Sequence, residues 1–137
     1  MKNILIVDDD SELLSSMLRH FHRYRTELHV SVACDGSEAL RRAADQHIDV
    51  LVTDILMPRR DGLQTIRSFR KAHPDVRIIA MSGGGQWLGV ECLVSARLMG
   101  AEVTHEKPFE FDVLLESIRS LLGQDSSTDV TAMGDTR

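Results

Sequence analysis

Short apolar runs alternate with amphipathic stretches along this chain, and the alternation predicts its elements. Asn3-Ile4-Leu5-Ile6-Val7 reads as a continuous apolar strand that closes on Asp8-Asp9-Asp10. Leu13, Leu14, Met17, Leu18 and Phe21 then recur at helical spacing and give one apolar face. Asp9 or Asp10 can cap that helix, and Glu12 places negative charge in its first turn. Leu28 to Ala33 is the second strand, Asp35-Gly36 a turn, and Ala39, Leu40, Ala43 and Ala44 the small face of a second helix. Val50-Leu51-Val52-Thr53 is a β-branched run that ends on one carboxylate, Asp54, with Met57-Pro58 shortly after. Pro58 cannot donate to a ladder and biases Met57 away from helix, so this third strand must stop near Asp54.

Asp61-Gly62 follows, with Asp61 a candidate cap for a third helix marked by Leu63, Ile66 and Phe69 and closed by His73-Pro74. Val76 to Met81 is the fourth strand, ending on Ser82 and Gly83-Gly84-Gly85. A fourth helix is expected from about Leu88 to Met99, stopped by Gly100. Glu102 to His105 is a short fifth strand before Glu106-Lys107-Pro108. Phe111, Leu114, Leu115, Ile118, Leu121 and Leu122 trace the last helix. From Gly123 onward the chain is polar and poor in apolar residues, which predicts a disordered tail. The folded unit is thus expected over residues 1–122 and the tail over 123–137.

Five near-continuous apolar strands alternating with five helices imply an α/β fold. It is a doubly wound parallel sheet covered on both faces, in the order 2-1-3-4-5. A length of 137 residues fits one domain. The formal net charge of −5, with no basic block, argues against nucleic acid as a partner. No stretch is long and apolar enough to span a bilayer and none has a signal-peptide pattern, so a cytoplasmic protein without a membrane partner is expected. Cys34 and Cys92 lie far apart with no zinc-like spacing, which fits free thiols. His20 and His22 are two positions apart, point in different directions on a helix, and are read as surface residues.

The predicted order brings polar groups to one edge of the sheet. Asp8 and Asp9 end the first strand, Asp54 the third, Ser82 the fourth, and Lys107 follows the fifth. Each has an ordinary explanation alone: the acidic triplet as a helix cap, Asp54 as a turn residue, Ser82-Gly83-Gly84-Gly85 as a turn, Lys107-Pro108 as a loop. Together they are what phosphoryl transfer uses. Crowded carboxylates repel one another unless a cation joins them, and hard oxygen ligands with room for water suit Mg²⁺. Asp54 can attack phosphorus as a carboxylate nucleophile while Lys107 and Ser82 steady the oxygens.

Ile6-Val7-Asp8-Asp9-Asp10, Asp54-Ile55-Leu56-Met57-Pro58 with Asp61-Gly62-Leu63, Met81-Ser82-Gly83 and Lys107-Pro108-Phe109 form an ordered set. This set resembles the receiver domain of two-component response regulators (the CheY-like fold) over about Lys2 to Leu122. The resemblance implies a stand-alone receiver in a phosphorelay that is a phosphoacceptor, not a classical enzyme. Asp54 would take its phosphoryl group from a sensor histidine kinase or a histidine phosphotransfer protein. Asp9, Asp54 and the backbone carbonyl of Leu56 would bind Mg²⁺ directly, with Asp8 acting through water. Ser82 and Lys107 would hold the phosphoryl oxygens, and the Lys107-Pro108 peptide would be cis. Phosphorylation would switch contacts of the face made by the fourth helix, fifth strand and fifth helix, toward a downstream protein or a second copy.

Two departures stand out. His105 occupies a switch position that is usually Tyr or Phe in this family, so the usual coupling is in question. The segment from Ser82 to Lys107 is long and glycine-rich, with Trp87 and Gly89, and a loop near the site is expected whose Trp87 fluorescence responds to Mg²⁺ or phosphorylation. Leu56 and Gly84 occupy the two variable positions flanking the acceptor and hydroxyl residues, which by the resemblance tune access of the hydrolytic water; an apolar Leu56 cannot orient that water, which predicts a long-lived phosphoryl group. A rival enzyme reading takes Asp8-Asp9-Asp10 as the D-x-D of a haloacid-dehalogenase-like phosphatase, with Asp8 as nucleophile and Asp10 as acid–base. That family's final acidic motif is missing, and Asp54-Ile55-Leu56-Met57-Pro58 goes unexplained. A third reading is an interaction module that takes no phosphate.

Overall fold

A computed structural model describes residues 1–55, 62–82 and 94–124 of the chain. Its strands are β1 (Lys2–Val7), β2 (Leu28–Ala33), β3 (Val50–Asp54), β4 (Arg77–Ser82) and β5 (Val103–Glu106). Its helices are α1 (Ser11–Phe21), with a 3-10 turn at His22–Tyr24, α2 (Gly36–Asp45), α3 (Gly62–Ala72), α4 (residues 94–99 described) and α5 (Phe111–Gln124). The five strands form one sheet in the order β2-β1-β3-β4-β5, every pairing parallel. The order and the parallel pairing are those the apolar pattern predicts.

Alternation along the strands sorts side chains onto two faces. Leu5, Val7, Leu51, Ile78 and Ala80 point to one side and pack with Ala39, Ala43, Ile66, Phe69 and Ala96 of α2, α3 and α4. Ile4, Ile6, Val50, Val52, Ile79 and Met81 point to the other, against Leu14, Met17, Phe21, Leu114, Ile118 and Leu121 of α1 and α5. Two apolar clusters therefore sandwich the sheet, and the central strands, covered on both faces, have no polar alternation. The near-continuous apolar runs in the sequence are the cause of this layering.

Local chemistry sets the helix ends. The Asp10 carboxylate accepts from the amides of Glu12 and Leu13 at 3.1 and 3.2 Å and starts α1. The Asp35 carboxylate accepts from Glu38 N at 2.8 Å and starts α2. Gly100 ends α4 with φ +125, a conformation that a side chain resists, and its virtual Cβ would lie 2.8 Å from Arg70 Nε. Arg70 fastens the lower loops: Nη1 donates to Pro74 O and Val76 O, and Nη2 to Gly100 O, each at 2.8 Å.

α5 is held at its start and again partway along. The Phe111 ring meets His20, Phe21 and Tyr24 at centroid distances of 5.0, 4.7 and 6.2 Å. Farther along, Arg119 pairs with Glu27 at 3.1 Å and lies 5.1 Å over the Tyr24 ring.

Some boundaries differ from expectation. β1 starts at Lys2, β4 at Arg77, and β5 runs Val103–Glu106, one residue later than expected. α5 continues through Gln124, past the expected end at 122. Leu121 is still packed there, and Gly123 sits in open space where nothing forces the helix to stop. Leu56, Met57-Pro58, Asp61, Gly83-Gly84-Gly85, Trp87, Gly89, Cys92, the start of α4 and the polar segment 125–137 lie outside the described residues.

Candidate functional site

Three carboxylates meet at the C-terminal edge of the sheet. Asp54 is the last residue of β3 and is 4% exposed; Asp8 follows β1 and is 1% exposed. Neighbouring backbone fixes both. Asp8 N donates to Ala33 O at 3.1 Å, and Ile55 N donates to Met81 O at 3.0 Å. Thr53 Oγ1 donates to Asp54 O at 3.0 Å. Asp9 is exposed, and one carboxylate oxygen from each of Asp8, Asp9 and Asp54 lies within 4.8 Å of the others. The adjacent β1 and β3 bring this about: Val7 registers with Thr53, so the two acids follow one another across the ladder.

Lys107 crosses to this cluster from the far side of the sheet. Its Nζ is 2.6 Å from Asp8 Oδ2 and 3.7 Å from Asp54 Oδ2. Its backbone N–H donates to Ser82 O at 2.7 Å, and the Lys107-Pro108 peptide is cis. Ser82 ends β4, is 1% exposed, and registers with Glu106 on β5. Formally, three carboxylates and one ammonium leave two negative charges. The donor set thus suits a divalent cation in both charge and hard-oxygen chemistry.

The acidic triplet is divided in its roles. Asp8 points into the cluster, and its Oδ1 accepts from Asp10 N at 2.9 Å. Asp10 turns its carboxylate to the α1 amides instead, which argues against the Asp8/Asp10 phosphatase pairing. Its oxygen is engaged as a helix cap, and Asp8 is engaged by Lys107.

Gly62 was legible only as part of a motif; its packing role was not. A Cβ there would lie 2.0 Å from Asp54 O and 2.4 Å from Ile55 Cα, and Gly62 N donates to Ile55 O at 3.1 Å. The start of α3 presses on the backbone of the acceptor strand, and only glycine fits. A glycine just downstream of a strand-end acid is the available signal for such a contact.

His105 is half-buried on β5. Its Nε2 lies 2.9 Å from Ser117 Oγ on α5, and its ring is 5.5 Å from that of Phe109. Burial holds its pKa below the ordinary histidine value. Ser117 escaped the sequence reading, although its place beside the Leu114, Ile118 and Leu121 stripe marks it as a polar residue facing inward.

Comparison with known proteins agrees with this geometry. Residues 4–119 match the model of the response regulator receiver domain. The chain is 36% identical over 137 residues to the response regulator MprA of Mycobacterium ulcerans, covering 95% of this chain and 56% of that one. It is 34% identical over 125 residues to the transcriptional regulatory protein PrrA of Mycobacterium tuberculosis, covering 91% and 52%. The chain therefore spans about half the length of the curated relatives it matches. Among solved structures, a CheY-like receiver domain protein from Methanospirillum hungatei superposes with a TM-score of 0.82 at 26% identity, covering 93% of this chain and 98% of that one. The beryllofluoride-activated NtrC4 receiver domain dimer superposes at 0.80 with 29% identity, covering 90% and 98%. With its parallel 2-1-3-4-5 sheet and the acids of that edge, the chain belongs to the response regulator receiver domain family.

Proposed function

We propose that Asp54 accepts a phosphoryl group from the phosphohistidine of a sensor kinase or of a histidine phosphotransfer protein. The Asp54 carboxylate attacks phosphorus, a P–O bond forms as the P–N bond breaks, and the imidazole leaves with the electron pair and takes up a proton. Lys107 places its ammonium beside the incoming oxygens, and the Ser82 hydroxyl donates to one of them. Asp8, Asp9 and Asp54, with the backbone carbonyl of Leu56, are the residues that would hold Mg²⁺, which when bound supplies positive charge at the transferring group. Asp8 steadies the ammonium and would help to hold the cation. The phosphoryl group later leaves by hydrolysis; the protein is a phosphoacceptor rather than a classical enzyme.

The observation that carries this reading is the position of Lys107 Nζ between Asp8 and Asp54, at 2.6 and 3.7 Å. The output is a shift in the α4-β5-α5 face between two states, read by a downstream protein or a second copy. Exposed apolar side chains support it: Val94 and Met99 on α4, Leu98 beside them at 83% exposure, and Val113 on α5. No described helix is long and apolar enough to cross a membrane, and a cytoplasmic setting accompanies the reading.

The test is intact mass after exposure to a small-molecule phosphodonor with Mg²⁺. Wild type gains one phosphoryl group and Asp54→Asn gains none. Uptake by Asp54→Asn but not by Asp8→Asn would instead install the phosphatase reading.

A further inference from the structure

We propose that residues 125–137 of this chain occupy the groove between α1 and the edge strand β2. Their aspartates pair with Arg25, His22 and His29, while Val130 and Met133 settle on Leu18 and Leu28. The inference is independent of the phosphoacceptor reading. Leu28 opens β2 and Asp54 closes β3, so the groove and the acid cluster lie at opposite ends of a parallel sheet.

The groove is apolar at its base and basic at its rim. Phe21 and Leu28 are buried and form the floor, with Leu18 left 38% exposed beside them. His22, Arg25 and His29 stand exposed around an opening of about 380 Å³. None of the described residues that line it is acidic, and among the described residues no carboxylate lies within ion-pair distance of Arg25. Arg25 Nη1 donates to His22 O at 2.8 Å, which orients the guanidinium. A guanidinium has further N–H donors, and these suit a carboxylate.

Composition and reach select the occupant. Residues 125–137 carry Asp125, Asp129 and Asp135 against Arg137, so their charge is opposite to that of the rim. Asp129-Val130 and Ala132-Met133-Gly134-Asp135 set apolar side chains beside acids, as a greasy floor under a basic rim requires. An exposed ion pair alone contributes little, so the contact depends on acids and methyl groups together. α5 delivers the segment to this place. Arg119 pairs at 3.1 Å with Glu27, two positions from Arg25, and Leu121 packs in the same cluster as Phe21 and Leu28. The helix ends at Gln124, about 7.5 Å along its axis from Arg119. The residues beyond it span up to about 43 Å when extended, ample for a groove that begins beside Glu27.

The test uses the full chain with ¹³C-labelled methyl groups. Wild type should show nuclear Overhauser contacts from the methyl groups of Val130 or Met133 to those of Leu18 or Leu28. The combined Asp125→Asn, Asp129→Asn, Asp135→Asn variant should lose them, and the amide signals of His22, Arg25 and His29 should move in the same variant. Arg25→Gln should weaken the contacts with residues 125–137 left as they are. Mixing labelled with unlabelled chains separates contacts within a chain from contacts between chains. Contacts found only between chains would assign the groove to a second copy and overturn the proposal. So would their absence in wild type, or their survival in the combined variant. Phosphoryl uptake by the combined variant should match wild type, so the phosphoacceptor reading stands or falls separately.

Discussion

Lys107 shows how much rests on one side chain. Its ammonium is the 2.6 Å partner of Asp8 Oδ2, a carboxylate that is only 1% exposed. Lys107→Ala strands that charge, so unfolding without divalent cation should cost on the order of 1–3 kcal/mol less than in wild type. Added Mg²⁺ should restore part of the loss, because a bound cation takes over the neutralisation; denaturant melts with and without the ion measure this. The same variant should take up phosphoryl roughly tenfold more slowly or worse, since a positioned charge is lost where negative charge develops. The strand-end acids, Ser82 and Lys107 were legible in the sequence because they sit where apolar runs stop. The cluster was legible as Asp8, Asp9 and Asp54 without Asp10, but the choice of Asp10 over Asp9 as the helix cap was not, because capping and ligation use the same residue type. Ser117 was hidden because a lone serine beside an apolar helix stripe has many ordinary partners, and only the fold supplies His105.

At the scale of elements, the apolar pattern predicted type and order well because both faces of the sheet are covered. The shorter edge strand β5 shifted by one residue, where partial burial leaves a weaker periodic signal. The start of α3 is the most sensitive junction. Gly62→Ala forces a Cβ into the backbone of Asp54 and Ile55. Its stability should drop by about 2 kcal/mol or more, and phosphoryl uptake should slow because the acceptor strand shifts. A melt together with intact-mass kinetics checks both. Arg70→Ala is the contrast. It removes bonds to three carbonyls at the opposite end of the sheet. About 2–3 kcal/mol of stability should be lost while the uptake rate of the folded fraction stays near wild type. Equal slowing in both variants would mean that the two ends of the sheet are not independent.

For the whole molecule, cation and proton should act in opposite directions. At a free Mg²⁺ concentration of about 100 times its Kd, stability should rise by about 2.7 kcal/mol, and Asp9→Asn should reduce that gain. Burial holds the folded-state pKa of His105 below the ordinary histidine value of about 6.5. Its contribution is therefore complete above about 6.5 and is lost as pH falls through the lower folded value, because the unfolded chain binds the proton first. His105→Phe should flatten that acid limb in pH-dependent melts. The two-sided layering was evident from near-continuous apolar strands, whereas the long-range ties of α5 depend on pairs such as Arg119 with Glu27, which no local pattern joins.

Those ties have a consequence for how a signal could be delivered. With Phe111 seated among three rings and Arg119 gripping Glu27, the C-terminal helix resists moving as a rod. It is better suited to be a stationary rail, past which the neighbouring strand and helix slide. A recipient would then find its footing on the rail and its message in what has travelled relative to it.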